Sequence, residues 1–130
     1  MIFLLDVNAL IAAGFRAHTF HPRVQAWLAQ QTEPKLATCS ITELGFVRVL
    51  SQSTAYGLSV DRARELLQQV QMREPSRFRF LPDACRIAGL PGWVRSPKQI
   101  TDGHLLQLAR VHGAELATLD HRIRSAHRIP

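Results

Sequence analysis

The chain opens on four apolar residues, Ile2-Phe3-Leu4-Leu5, that run straight into Asp6. No polar position alternates with them, so both faces of this strand are expected to be buried, as in a central parallel strand. Asn8 to Ala13 reads as a short helix ended by Gly14, and His18 to Pro22 as a loop. Pro22 suits a first helical turn. Val24, Trp27 and Leu28 follow at helical spacing and predict a second helix ending near Gln31. Leu36 to Cys39 reads as a second strand. A third helix opens at Ser40, with Ile41, Leu44 and Val47, extended by Leu50, as its apolar face; Ser40 with Glu43 fits a capping box. Ser59 caps a fourth helix whose face holds Val60, Ala63, Leu66, Leu67 and Val70. Phe78 to Leu81 predicts a third strand, Asp83 to Ala88 one or two helical turns, and Gly89 to Gln99 an irregular segment. Thr101 is expected to cap a helix built on Leu105, Leu108 and Ala109 and closed by Gly113. Glu115 to Leu119 is a further strand ending in Asp120, and Ile129 belongs to a last short one.

Strands separated by helices imply an α/β fold: a central, mainly parallel sheet with helices on both faces. The 130 residues suit a single domain, 1–130, with its own core. Hydrophobic residues make up 46% and charged ones 20%, a globular balance. The apolar runs fall short of the roughly 20 residues that span a bilayer. Neither a membrane anchor nor a signal peptide is read, and a cytoplasmic location is expected.

Sixteen Lys and Arg against ten Asp and Glu leave a formal charge of +6, which favours a polyanionic partner such as nucleic acid. Cys39 and Cys85 stand far apart without a metal-binding pattern and read as reduced thiols. Trp93, Arg95 and Lys98 place an aromatic beside two cations in the irregular segment, a combination that can stack on and neutralise an RNA strand. His104, His112 and His121 read as structural or surface residues, and Arg122, Arg124 and Arg128 form a basic tail.

Against this basic background a few acids hold telling positions. Asp6 and Asp120 end apolar strands; Glu43 and Asp102 lie in first helical turns. In a parallel sheet, strand ends and the starts of the following helices share one edge, where sites of such folds lie. Carboxylates that converge there need a proton or a cation to hold them together. Oxygen donors without Cys or a His set favour Mg²⁺ or Mn²⁺ over zinc. Such an ion supports in-line displacement at a phosphodiester.

The segments Leu4-Leu5-Asp6-Val7-Asn8-Ala9-Leu10-Ile11, Ile41-Thr42-Glu43-Leu44, Ile100-Thr101-Asp102-Gly103-His104-Leu105-Leu106 and Leu116-Ala117-Thr118-Leu119-Asp120 resemble, in order and spacing, the blocks of PIN-domain ribonucleases. Length and spacing are most similar to the VapC-type toxins of bacterial toxin–antitoxin pairs. The resemblance implies a three-layer α/β/α fold and a Mg²⁺- or Mn²⁺-dependent endoribonuclease. It also implies a homodimer neutralised by a cognate antitoxin. Asp6, Glu43 and Asp102 match the metal-holding acids and Asp120 a more variable fourth. Asn8 and Thr118 match polar positions that support the acids by hydrogen bonding. Gly103 stands where the family often has alanine.

Two other functions compete. A haloacid-dehalogenase-like phosphatase also starts with an acid after its first strand, but needs a second Asp two residues on, where this chain has Asn8. A PIN-like module that binds RNA or a partner without cutting is the alternative that keeps the fold; the full set of acids argues against it.

Overall fold

The computed structural model describes residues 1–123 and 125–130. Its strands are β1 (Ile2–Leu5), β2 (Lys35–Thr38), β3 (Phe78–Phe80), β4 (Glu115–Thr118) and β5 (His127–Arg128). They form one sheet in the order β3-β2-β1-β4-β5, and every neighbouring pair is parallel. The helices are α1 (Val7–Gly14), α2 (His21–Gln30), α3 (Ser40–Gln52), α4 (Val60–Arg73) and α5 (Ile100–Val111).

The unbroken apolar runs are explained by where alternate residues go. Phe3 and Leu5 of β1, Leu36 of β2 and Ala117 of β4 enter a core shared with α1 to α4. Leu4, Ala37 and Leu116, their neighbours in sequence, enter a second core with α5 and the half-buried Trp93. β1, β2 and β4 are therefore covered on both faces, and the molecule has three layers. From β1 the chain steps outward to β2 and β3, then crosses by α5 to β4 on the opposite side of β1. The strand order reverses between β1 and β4, the point where sites of open parallel sheets form.

Several boundaries differ from those the sequence suggests. On α3 the buried residues are Thr42, Gly45, Phe46 and Leu50, while Leu44 is exposed. Gly45 makes this possible, since a Cβ there would stand 2.4 Å from Val7 Cγ2 of α1. Val60 of α4 is exposed as well. The capping box at α3 sits one residue earlier than expected. Cys39 is the N-cap, and its N–H donates to Thr42 Oγ1 at 3.0 Å. Thr101 caps nothing: α5 starts at Ile100, straight after a 3₁₀ turn at Pro97–Gln99. Gln99 Oε1 accepts from the N–H groups of Arg95 and Ser96 at that entry. Between Asp83 and Ala88 regular structure begins only with the 3₁₀ turn Ile87–Gly89. Gly113 does close α5 in the left-handed conformation, with φ of 67°. Gly103 lets the irregular segment lie against α5, because a Cβ there would meet Val94 Cγ2 at 2.3 Å. Cys39 and Cys85 are free thiols.

Candidate active site

Asp6 sits at the reversal point and is only 8% exposed. It caps α1, its Oδ1 accepting from the Ala9 N–H at 2.9 Å. Its Oδ2 accepts from the hydroxyl of Thr118, the last residue of β4. The same Thr118 oxygen accepts from the Asp120 N–H at 2.9 Å. One buried threonine thus joins the ends of β1 and β4. Burial pushes the Asp6 carboxyl above its ordinary range, and the charges of Asp102 and Asp120 push it further, against the hydrogen bonds from Thr118 and Ala9.

Asp102 lies in the first turn of α5. Its carboxyl is raised by burial and then by the charge of Asp120. Asp120 goes the other way. The Arg122 guanidinium grips both of its oxygens, at 3.0 and 2.9 Å, and holds its carboxyl down at about 2. Three aspartates from β1, α5 and β4 therefore share one field. All present hard oxygens, the donor chemistry of Mg²⁺ or Mn²⁺. Among the described residues no three His, Cys, Asp or Glu side chains stand close enough to share one ion as placed here.

Glu43 faces the same sheet edge from α3. It accepts from Thr38 Oγ1 at 2.6 Å and from Gln71 Nε2 at 3.0 Å. With the capping box built from Cys39 and Thr42, its carboxylate takes no part in starting the helix. Both of these partners lie on the β2 and α4 side of the site, and among the described residues no hydrogen bond joins Glu43 to the aspartates. Asn8 does not support the acids as expected. It is exposed and lines a groove beside Asp120, and among the described residues no hydrogen bond joins it to an acid.

Trp93 and Lys98 line a cleft of about 260 Å³ together with Asp102, Asp120 and Arg122. Arg95 is exposed and lies outside that lining. The histidines take the plain roles expected of them in two cases: His104 Nε2 lies 2.5 Å from Asp83 Oδ2, and His112 Nε2 lies 2.9 Å from the Pro82 carbonyl. Arg124 is outside the described residues.

The PIN domain model matches residues 3–129. The chain belongs to the PIN-domain family. Among its relatives, ribonuclease VapC29 of Mycobacterium tuberculosis is 39% identical over 128 residues, covering 98% of this chain and 92% of that protein. Ribonuclease VapC44 of the same organism is 39% identical over 127 residues, covering 92% and 87%. The crystal structure of M. tuberculosis VapC20, described as a sarcin-ricin loop cleaving toxin, superposes with a TM-score of 0.63. It shares 11% identity and covers 98% of this chain and 99% of that one, a likeness of fold. The chain is thus a VapC-type ribonuclease by family.

Two partners of the PIN-domain acids escape a reading of the sequence. Gln71 reaches Glu43 from 28 residues away, out of α4. Arg122 reads as part of a basic tail, yet it is the clamp on Asp120. The spacing D-x-R just after a strand is the one local signal for that clamp.

Proposed function

We propose that this VapC-type toxin hydrolyses RNA phosphodiester bonds at the edge where β1, β4 and α5 meet. The reading is carried by three aspartates in mutual repulsion at the strand-order reversal, two of them raised and one neutralised by an arginine. Asp6, Asp102 and Asp120, with Glu43 from α3, would hold Mg²⁺ or Mn²⁺, which would supply activation of water and neutralisation of the charge that develops on the phosphate. The remaining work falls to the protein. Thr118 fixes Asp6 and Asp120 relative to each other, Thr38 and Gln71 orient Glu43, and Trp93 and Lys98 receive the substrate strand in the cleft next to Asp102. Arg95, exposed nearby, meets the RNA backbone.

The basic surface draws in the polyanion that the acids alone repel. The protein acts in the cytoplasm as a homodimer and is silenced by a cognate antitoxin. Family membership supports both partners, and so does the apolar groove between α3 and α4, with Leu44, Val60 and Phe80 exposed around it. No helix of the described residues is long and apolar enough to cross a membrane.

Cleavage of a labelled single-stranded RNA panel by antitoxin-free protein tests the reading. Cutting with Mg²⁺ or Mn²⁺ that stops in EDTA is expected. Metal binding without cutting, confirmed by mapping RNA ends in expressing cells, would leave a binding module instead. Arg122→Gln is expected to move two quantities in opposite directions. Freed from its clamp, Asp120 strengthens Mn²⁺ binding several-fold by calorimetry, while RNA affinity falls. Equal Mn²⁺ affinity in the two proteins would separate Asp120 from the metal.

A further inference from the structure

On the far side of Asp120 from Trp93 lies a second recess, of about 680 Å³. Phe20, Arg23, His121, Arg122 and Arg128 line it, and Asp120 and Arg122 belong to both recesses. The two hollows therefore meet at the Asp120–Arg122 pair.

The wall of the second recess is built in advance. Phe20 precedes α2 and is 43% exposed, unusual for a large aromatic. The Arg23 guanidinium lies over one face of the Phe20 ring, 5.4 Å from the ring centre, so the face left for a base is the opposite one. Arg23 is in turn fixed by the carbonyls of Ile129 and Pro130, at 2.9 and 2.6 Å. The His18 ring lies 5.9 Å from that of Phe20, and its Nδ1 accepts from the Phe20 N–H at 3.0 Å. Arg128 is exposed and forms no ion pair among the described residues. An ordered aromatic face ringed by cations fits a base stacked on a ring and phosphates on either side.

We propose that this recess is a nucleotide subsite: Phe20 stacks a base of single-stranded RNA next to the scissile phosphate, and Arg128 with His121 holds the adjoining phosphate. The strand then runs from the Trp93 cleft, over the aspartates, to Phe20. The proposal rests on the aspartates being the cleavage centre, but its test does not.

Binding of fluorescent hexauridylate is measured by anisotropy in EDTA, where nothing is cut. Phe20→Ala is expected to weaken binding about tenfold, within the range for one stacked base, and Phe20→Tyr to restore it. Arg128→Ala should weaken binding and lower the slope of log affinity on log salt by about one. Hexauridylate carrying 5-iodouridine should crosslink to Phe20, read by mass spectrometry of the wild-type protein. Wild-type affinity in Phe20→Ala, or crosslinks confined to Trp93, would overturn the subsite. Should Phe20→Ala lose its thermal transition, the Arg128 slope and the crosslink decide. Failure to cut RNA with Mn²⁺, with these binding results intact, would sink the catalytic reading alone.

Discussion

Asp102→Asn is expected to cut RNA about 10³-fold more slowly, the scale on which losing one group that stabilises transition-state charge lowers kcat. The same substitution should make the metal-free protein more stable. Asp102 is raised by burial and by Asp120, so the folded state holds its proton more tightly than the unfolded state does. Such a group favours folding most below its unfolded pKa. That advantage is lost as pH rises through the folded value, and at neutral pH the ionised carboxylate opposes the fold. Asparagine carries no such charge. The variant should therefore melt a few degrees above wild type at pH 7, and the gap should close as pH falls through the carboxyl range. Mn²⁺ should raise the melting temperature of wild type and leave the variant almost unmoved. Asp6→Asn should match it in lost cleavage, with a smaller gain in stability because the bond from Thr118 loses its anionic acceptor. Unchanged cutting in Asp102→Asn would remove Asp102 from the reaction centre.

Thr118→Val carries the second largest effect, and here stability and activity fall together. Valine keeps the shape and deletes the hydroxyl, at a position with no solvent exposure. One oxygen of Asp6 loses its donor, and the Asp120 N–H loses its acceptor. Two polar groups left wanting, one of them charged, cost about 2–4 kcal/mol together. Cleavage should drop about 10- to 100-fold, as when a group orienting a metal ligand is removed. Urea unfolding and initial cleavage rates measure the two losses. Thr118→Ser keeps the oxygen and should recover most of both. A valine variant as active as wild type would mean that the aspartates find their places unaided.

The parts legible in the sequence are those that sheet geometry writes into a short window. A strand covered on both faces must be apolar at every position, which is why Ile2–Leu5 and the run ending at Thr118 are plain to see. The acid after each then falls at the same edge by topology. Caps are less legible because neighbouring residues compete for them. Ser40 and Glu43 spell a capping box as well as Cys39 and Thr42 do; the extended backbone at Cys39, φ −140° and ψ 175°, decides between them. Thr101 loses its role to the 3₁₀ turn that feeds α5. The face of α3 turns on Gly45, whose use is visible only with Val7 packed against it. Least legible are partners brought from distant segments: Gln71 for Glu43, and the Phe20 recess, drawn from the turn before α2 and its first residues, the 119–122 turn and β5. No window of sequence contains them together.

The hydrogen bond between Thr118 and Asp6 joins residues 112 positions apart. At roughly 5–20 residues per second, a ribosome makes Asp6 on the order of ten seconds before it makes Thr118. Throughout that interval the nascent chain lacks the β4 end, and with it Thr118, Asp120 and Arg122. A polypeptide abandoned partway holds Asp6 at the end of its first strand without the Thr118 hydroxyl that fixes it. The order of synthesis itself thus delays the assembly of the proposed RNA-cutting edge while the message being read is still in reach.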